Sequence, residues 1–90
     1  MTEKEKLGNE IRKIRESIQS TEYSKDHISQ QELADKNMGL TKHLIGTIER
    51  GDANPTLEKM VYLAHALNKK KITIFDIDID VEKFLNEINN

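Results

Sequence analysis

The 90-residue chain has no cysteine, no tryptophan and a single proline, and aromatic residues make up 4% of it. Without cysteine there can be neither disulfides nor thiolate metal sites, so the core is held by packing, alone or with dimerisation. Long apolar runs are also missing. No stretch approaches the roughly 20 residues a membrane span needs, and the opening MTEKEKLGNE lacks the apolar segment of a secretory signal. A cytoplasmic location is the expectation, with no membrane partner. Strong charge of one sign is absent too, the formal net charge being -2. What remains is 36% hydrophobic and 33% charged residues, the composition of one small helix-rich domain with no room for a separate catalytic domain.

Leu7, Ile11, Ile14 and Ile18 recur at helical spacing and predict a first amphipathic helix from about Glu3 to Ser20. The polar stretch Ser20 to His27 has no apolar period and reads as an exposed loop, with Tyr23 folding back over its root. Ser29 then fits an N-cap whose capping box Glu32 completes, starting a second helix from about Gln30 to Asn37. A turn at Gly39 and a further N-cap, Thr41, predict a third helix over Lys42 to Arg50 that Gly51 ends. After Asn54-Pro55, Thr56 caps a fourth helix with Leu57, Met60, Leu63, Ala64 and Leu67 on one face. In the tail, Ile72 and Ile74, then Phe75, Ile77, Ile79 and Val81, alternate at the period of a strand, with a slip of phase between Ile74 and Phe75. A lone strand cannot satisfy its backbone, so it would pair with its symmetry mate; a short helix starting after Thr73 is the alternative. Val81, Phe84, Leu85 and Ile88 predict a brief terminal helix.

The run ISQQELADKNMGLTKHLIGTIERGDANPTLEKMVYLAHALN, with LGNEIRKIRE before it, resembles the Xre-type helix-turn-helix family, to which lambda repressor and Cro are related. The likeness covers roughly Leu7 to Asn68. It rests on Ser-Gln-x-x-Leu-Ala, the glycine turn, Ile-x-x-Ile-Glu-Arg-Gly and Asn-Pro-Thr-Leu. It implies an all-α, lambda-repressor-like bundle of four to five helices, with residues 1–71 as a DNA-binding domain and 72–90 as a tail for dimerisation or partner binding. The major groove admits one α-helix, whose N-terminal residues reach base edges. The third helix would be that reader, with Lys42, His43 and Thr47 on the side opposite Ile45 and Ile48. Lysine can donate to guanine, histidine can donate or accept, and threonine offers a hydroxyl and a methyl. Gln30 and Thr41, at helix N-termini, are phosphate candidates, and the resemblance gives Gln30 that role. Arg12, Lys13 and Lys36 are further phosphate candidates. The resemblance also implies that Arg15 pairs with Glu49 and locks the reading helix to the scaffold.

The chain departs from the family pattern in three places. The stretch between Arg15 and Ile28 is longer than usual, the turn from Ala34 to Gly39 carries one extra residue, and Asp52-Ala53-Asn54 holds an acid where relatives are often basic. Charge is divided unevenly: residues 1–71 carry a net +2 and residues 72–90 a net -4. The acid of the tail therefore does not oppose DNA binding by the rest. Asp76, Asp78 and Asp80 alternate along the tail, but a calcium site needs a turning loop with six to eight oxygens, so no metal is expected. His27, His43 and His65 lack ligand spacing, and no nucleophile-base set is present, so neither a cofactor nor enzymatic activity is expected. The leading expectation is a homodimeric transcriptional regulator, a repressor, bound to double-stranded DNA. The alternative is an antitoxin-like or adaptor protein whose tail, or Ser20 to His27 loop, engages a protein partner.

Overall fold

The computed structural model describes residues 1–22 and 25–89. Five helices and one small hairpin follow in the order α1 (Glu3–Glu16), α2 (Gln30–Lys36), α3 (Lys42–Arg50), α4 (Leu57–Ala66), β1 (Lys71–Ile74), β2 (Ile77–Asp80) and α5 (Val81–Asn89). The protein is mostly helical. Side-chain oxygens of Thr2, Ser29, Thr41 and Thr56 each accept an orphan backbone N–H at the start of α1 to α4.

The first helix stops earlier than its apolar period predicts, at Glu16 and not Ser20. Ser17 closes it with a backbone bond to Ile14, and Ile18 then leaves the helix so that its carbonyl accepts the Ile28 N–H at 2.7 Å. Its buried face also differs from the predicted stripe: Leu7 is exposed, while Gly8, Ile11 and Arg15 are buried. The cause is proximity. A Cβ on Gly8 would lie 2.4 Å from the Glu49 carbonyl oxygen and 2.5 Å from that of Ile48, so only a glycine lets α1 come this close to the end of α3. The loop after α1 is exposed at Thr21, Glu22, Lys25 and Asp26, but Ser20 at its root is buried. Tyr23 lies outside the described residues.

The N-cap predicted at Ser29 is present, but the capping box is not completed. The Glu32 side chain turns instead to the loop root, accepting from Ser20 Oγ at 2.7 Å and the Thr21 N–H at 3.2 Å. Helix α2 ends at Lys36, one residue before the predicted Asn37, because Asn37 is extended and its side chain donates back to the Leu33 carbonyl at 2.8 Å. The chain turns at Gly39, where φ is 81° and the Tyr62 ring lies where a side chain would be. Leu33, Ile45 and Leu63 are at the centre of the core, each full burial of this kind contributing roughly 1.5–3 kcal/mol.

Helix α4 buries more of its surface than one stripe. Leu57 is exposed, whereas Val61, Tyr62 and Ala66 join Leu63, Ala64 and Leu67 in the interior. The reason is that α4 is covered on two sides, by the main core and by the tail: Val61, Ala64 and Val81 form a second cluster against which Ile72, Phe84 and Leu85 pack. The tail strand does not await a symmetry mate for its first partner. Lys71, Ile72, Thr73 and Ile74 pair antiparallel with Asp80, Ile79, Asp78 and Ile77 of the same chain, and no helix starts after Thr73. The phase slip at Ile74-Phe75 is the hairpin turn itself, Phe75 and Asp76 both having positive φ. The terminal helix predicted from Val81, Phe84, Leu85 and Ile88 is α5.

Candidate functional site

Helix α3 divides cleanly. Ile45, Gly46, Ile48 and Glu49 are buried, while Lys42 and His43 in its first turn and Arg50 in its last are exposed. Thr41 caps the start through its hydroxyl, which accepts the Leu44 N–H at 3.0 Å. Thr47 is half-buried and its hydroxyl donates to the Leu44 carbonyl at 2.9 Å, leaving an oxygen lone pair and a methyl for any contact from outside. Among the described residues, neither Lys42 nor His43 has an ion-pair partner. Arg50 is turned to Asp52 at 3.3 Å, so the acid of that loop neutralises the cation beside it.

Behind this face, Glu49 ties three helices together. Its carboxylate accepts from Arg15 Nε at 2.7 Å and Nη2 at 2.9 Å, a two-pronged contact, and also from Gln30 Nε2 at 3.0 Å and Arg12 Nε at 3.3 Å. Arg15 spends a further N–H on the Ile28 carbonyl at 2.9 Å. Burial pushes the Glu49 carboxyl up, but the bonds from Arg15 and Gln30, the Arg15 charge and the Arg12 bond outweigh it and hold the group below its ordinary value. The close approach of α2 to α3 that permits this is made at Gly46, where a Cβ would lie 3.3 Å from Gln30 Oε1.

Beside the same junction lies a concavity of about 440 Å³ lined by Arg15, Lys25, His27, Ser29, Gln30, Gln31 and Lys42. Among the described residues that line it are two lysines, Arg15, whose charge is met by Glu49, His27, which faces Glu16, and neutral donors, with no carboxylate, so its positive charge is that of Lys25 and Lys42. Such a surface attracts an oxyanion, with lysine as a point charge and amide and hydroxyl groups as directional donors. A second concavity of about 470 Å³, between the end of α4 and the start of α5, is lined by Lys69 and Lys70 but also by Asp80 and Glu82, so its charges cancel.

The structure gathers some of the predicted residues and separates others. Arg12, Arg15, Gln30 and Glu49 meet at one carboxylate, and Lys42 joins Gln30 along the basic concavity. Lys13 is exposed on α1. Lys36 is at the far end of α2, occupied with Glu32 at 3.3 Å, with Glu22 at 3.8 Å and with the Thr21 hydroxyl. That places its charge against two carboxylates, a poor position for gripping phosphate. Lys25, His27 and Gln31 were not among the expected site residues. Gln31 was legible as the neighbour of Gln30, but Lys25 and His27 belong to a loop without period, and only its folding back brings them to the concavity. His27 also faces Glu16 at 3.8 Å.

Among the described residues no cluster of three or more histidine and acidic side chains is arranged to hold a metal ion, and no helix is long and apolar enough to cross a membrane. No family model, curated protein or solved structure was found to match the chain.

Proposed function

We propose that this chain is a sequence-specific, DNA-binding transcriptional regulator of the helix-turn-helix type, a repressor that works as a homodimer. The observation that carries the reading is the carboxylate-free basic concavity at the α2–α3 junction, opening beside the exposed first turn of α3. A helix that enters the major groove reads bases with its N-terminal residues, while the elements beside it hold phosphates. In this reading Lys42, His43 and Thr47 face base edges, and Lys25 and Gln31 flank the phosphates. Thr41 and Gln30 act mainly as supports, one capping α3 and the other bonded to Glu49. Arg12, half-exposed beside Glu49, and Lys13 extend the positive surface along α1.

The alternative, an adaptor or antitoxin-like protein whose chief partner is another protein, draws on the apolar tip of the hairpin, where Phe75 is 93% exposed. Selection of binding sites from random DNA with the purified protein separates the two. The expected result is an enriched, roughly palindromic sequence whose recognition is relaxed at defined positions by Lys42→Ala or His43→Ala, each costing about 1–3 kcal/mol. Enrichment of no sequence, or one unchanged by both variants, would refute DNA readout by α3.

A further inference from the structure

The tip of the hairpin is left uncovered by the rest of the fold. Ile72, Ile74, Ile77 and Ile79 share one of its faces; Ile72 packs against the Val61–Ala64–Val81 cluster, while Ile74 and Ile77 stand 38% and 64% exposed beside Phe75. The other face carries Lys71, Thr73, Asp78 and Asp80. A two-stranded sheet with an apolar end and two open edges is only marginally stable and is a template for a further strand.

The two edges are not equivalent. The Val81 N–H bonds the Lys70 carbonyl at 3.0 Å, and antiparallel pairs alternate between bonded and unbonded, so the bonded pairs continue as Ile72 with Ile79 and Ile74 with Ile77. It follows that the backbone groups of Thr73 point away from β2, and those of Asp78 point away from β1. A copy added to β2 about a twofold axis would set Asp78 against Asp78 or Asp80 on one face, a repulsive arrangement. A copy added to β1 about an axis at Thr73 sets Thr73 opposite Thr73 and Ile72 opposite Ile74. Both pairings are favourable and self-complementary, as a twofold interface requires. Asp78 is meanwhile occupied within its own chain, accepting from Thr73 Oγ1 at 2.8 Å and pairing with Lys71 at 3.2 Å.

We infer that the β1 edge centred on Thr73 is the surface on which a second copy of this chain docks, giving a four-stranded antiparallel sheet with one continuous isoleucine face closed at each end by Phe75. This rests on the proposed homodimer and names its interface. The experiment is sedimentation equilibrium of the purified chain without DNA, compared with three variants whose cooperative melting is checked by circular dichroism. Thr73→Pro removes an outward N–H that the intrachain ladder does not use, which edge positions tolerate. Ile74→Lys combined with Ile77→Lys charges the tip and serves if the proline variant fails to fold, while Asp78→Asn relieves the repulsion at the other edge.

The expected result is a wild-type dimer weakened at least about tenfold by Thr73→Pro and by the lysine pair, and left within about twofold by Asp78→Asn. A wild-type chain that stays monomeric near millimolar concentration would overturn both the interface and the homodimer, leaving the edge to a different partner. A dimer untouched by the first two variants, or tightened about tenfold by Asp78→Asn, would overturn the interface alone.

Discussion

Among the described residues, Glu49 and Glu32 are the two carboxylates that the fold takes from solvent, and each is surrounded by donors. Removing Glu49 would leave the Arg15 guanidinium buried without its counter-charge, a loss of about 3–5 kcal/mol for a pair of this kind. Glu49→Ala is therefore expected to lower the melting temperature sharply and to lose DNA binding with it; a variant that melts and binds as the wild type does would contradict this. The same two groups contribute to the response to acid. Glu32 is held below the ordinary carboxyl value of 4.5 by its bond from Ser20 first, against the opposing effect of burial, with Thr21 and Lys36 adding to it. Glu49 is also depressed, its donors overcoming burial. A depressed carboxyl contributes stability that is fully present above its unfolded value and is lost as pH falls through the folded one. Melting temperature should thus be flat from about pH 7 to about pH 5 and fall steadily below about 4.5, with a smaller fall in Glu32→Gln, measured by circular dichroism.

At the scale of elements, the contact between α1 and α3 depends on the absence of a side chain at Gly8. A methyl there would meet two backbone carbonyls at 2.4 and 2.5 Å, so one helix must move. Gly8→Ala is expected to cost about 1–3 kcal/mol, visible as a lowered urea midpoint, even though alanine is the better helix former. No hydrophobic period announces such a contact, so the apolar stripe correctly includes Ile11 but takes in exposed Leu7 in place of buried Gly8. The elements themselves were more legible. Helices α3 and α4 carry their own caps and a glycine or proline at their boundaries, so Lys42 to Arg50 and the start at Leu57 followed from local chemistry. The tail was harder because its alternation fits one strand or two, and the turn uses Phe75-Asp76 where hairpins usually show asparagine or glycine. The loop residues of the basic concavity were illegible for a different reason. Their position is set by Glu32 reaching back to Ser20 and Thr21 and by the Ile28–Ile18 backbone bond, contacts between residues ten to twelve apart that no local pattern encodes.

For the whole molecule, positive charge is modest and partly cancelled: Arg12 and Arg15 serve Glu49, Lys36 serves Glu32 and Glu22, and Arg50 serves Asp52. On the proposed reading, affinity for DNA is accordingly expected to depend only shallowly on salt, with a log-log slope corresponding to ~3–5 phosphates per subunit, measured by fluorescence anisotropy. A slope typical of a highly basic repressor would contradict it. Residues 72–90 are not a detachable appendage, since Val81 is buried with Val61 and Ala64, and Leu85 and Ile88 pack on the main core. Deleting the tail would strip that surface, so single changes at the hairpin report on assembly more cleanly than truncation does. The Tyr62 ring has a further use. It lies against Gly39, beneath the turn that joins α2 to α3, with the Lys59 ammonium 5.6 Å from its centre and bonded to the Gly39 carbonyl at 2.8 Å. With no tryptophan in the chain and Tyr23 as its only other tyrosine, a Tyr23→Phe protein carries a single native fluorophore at that turn. Its emission becomes an optical gauge of how far the two helices shift against each other when a ligand arrives.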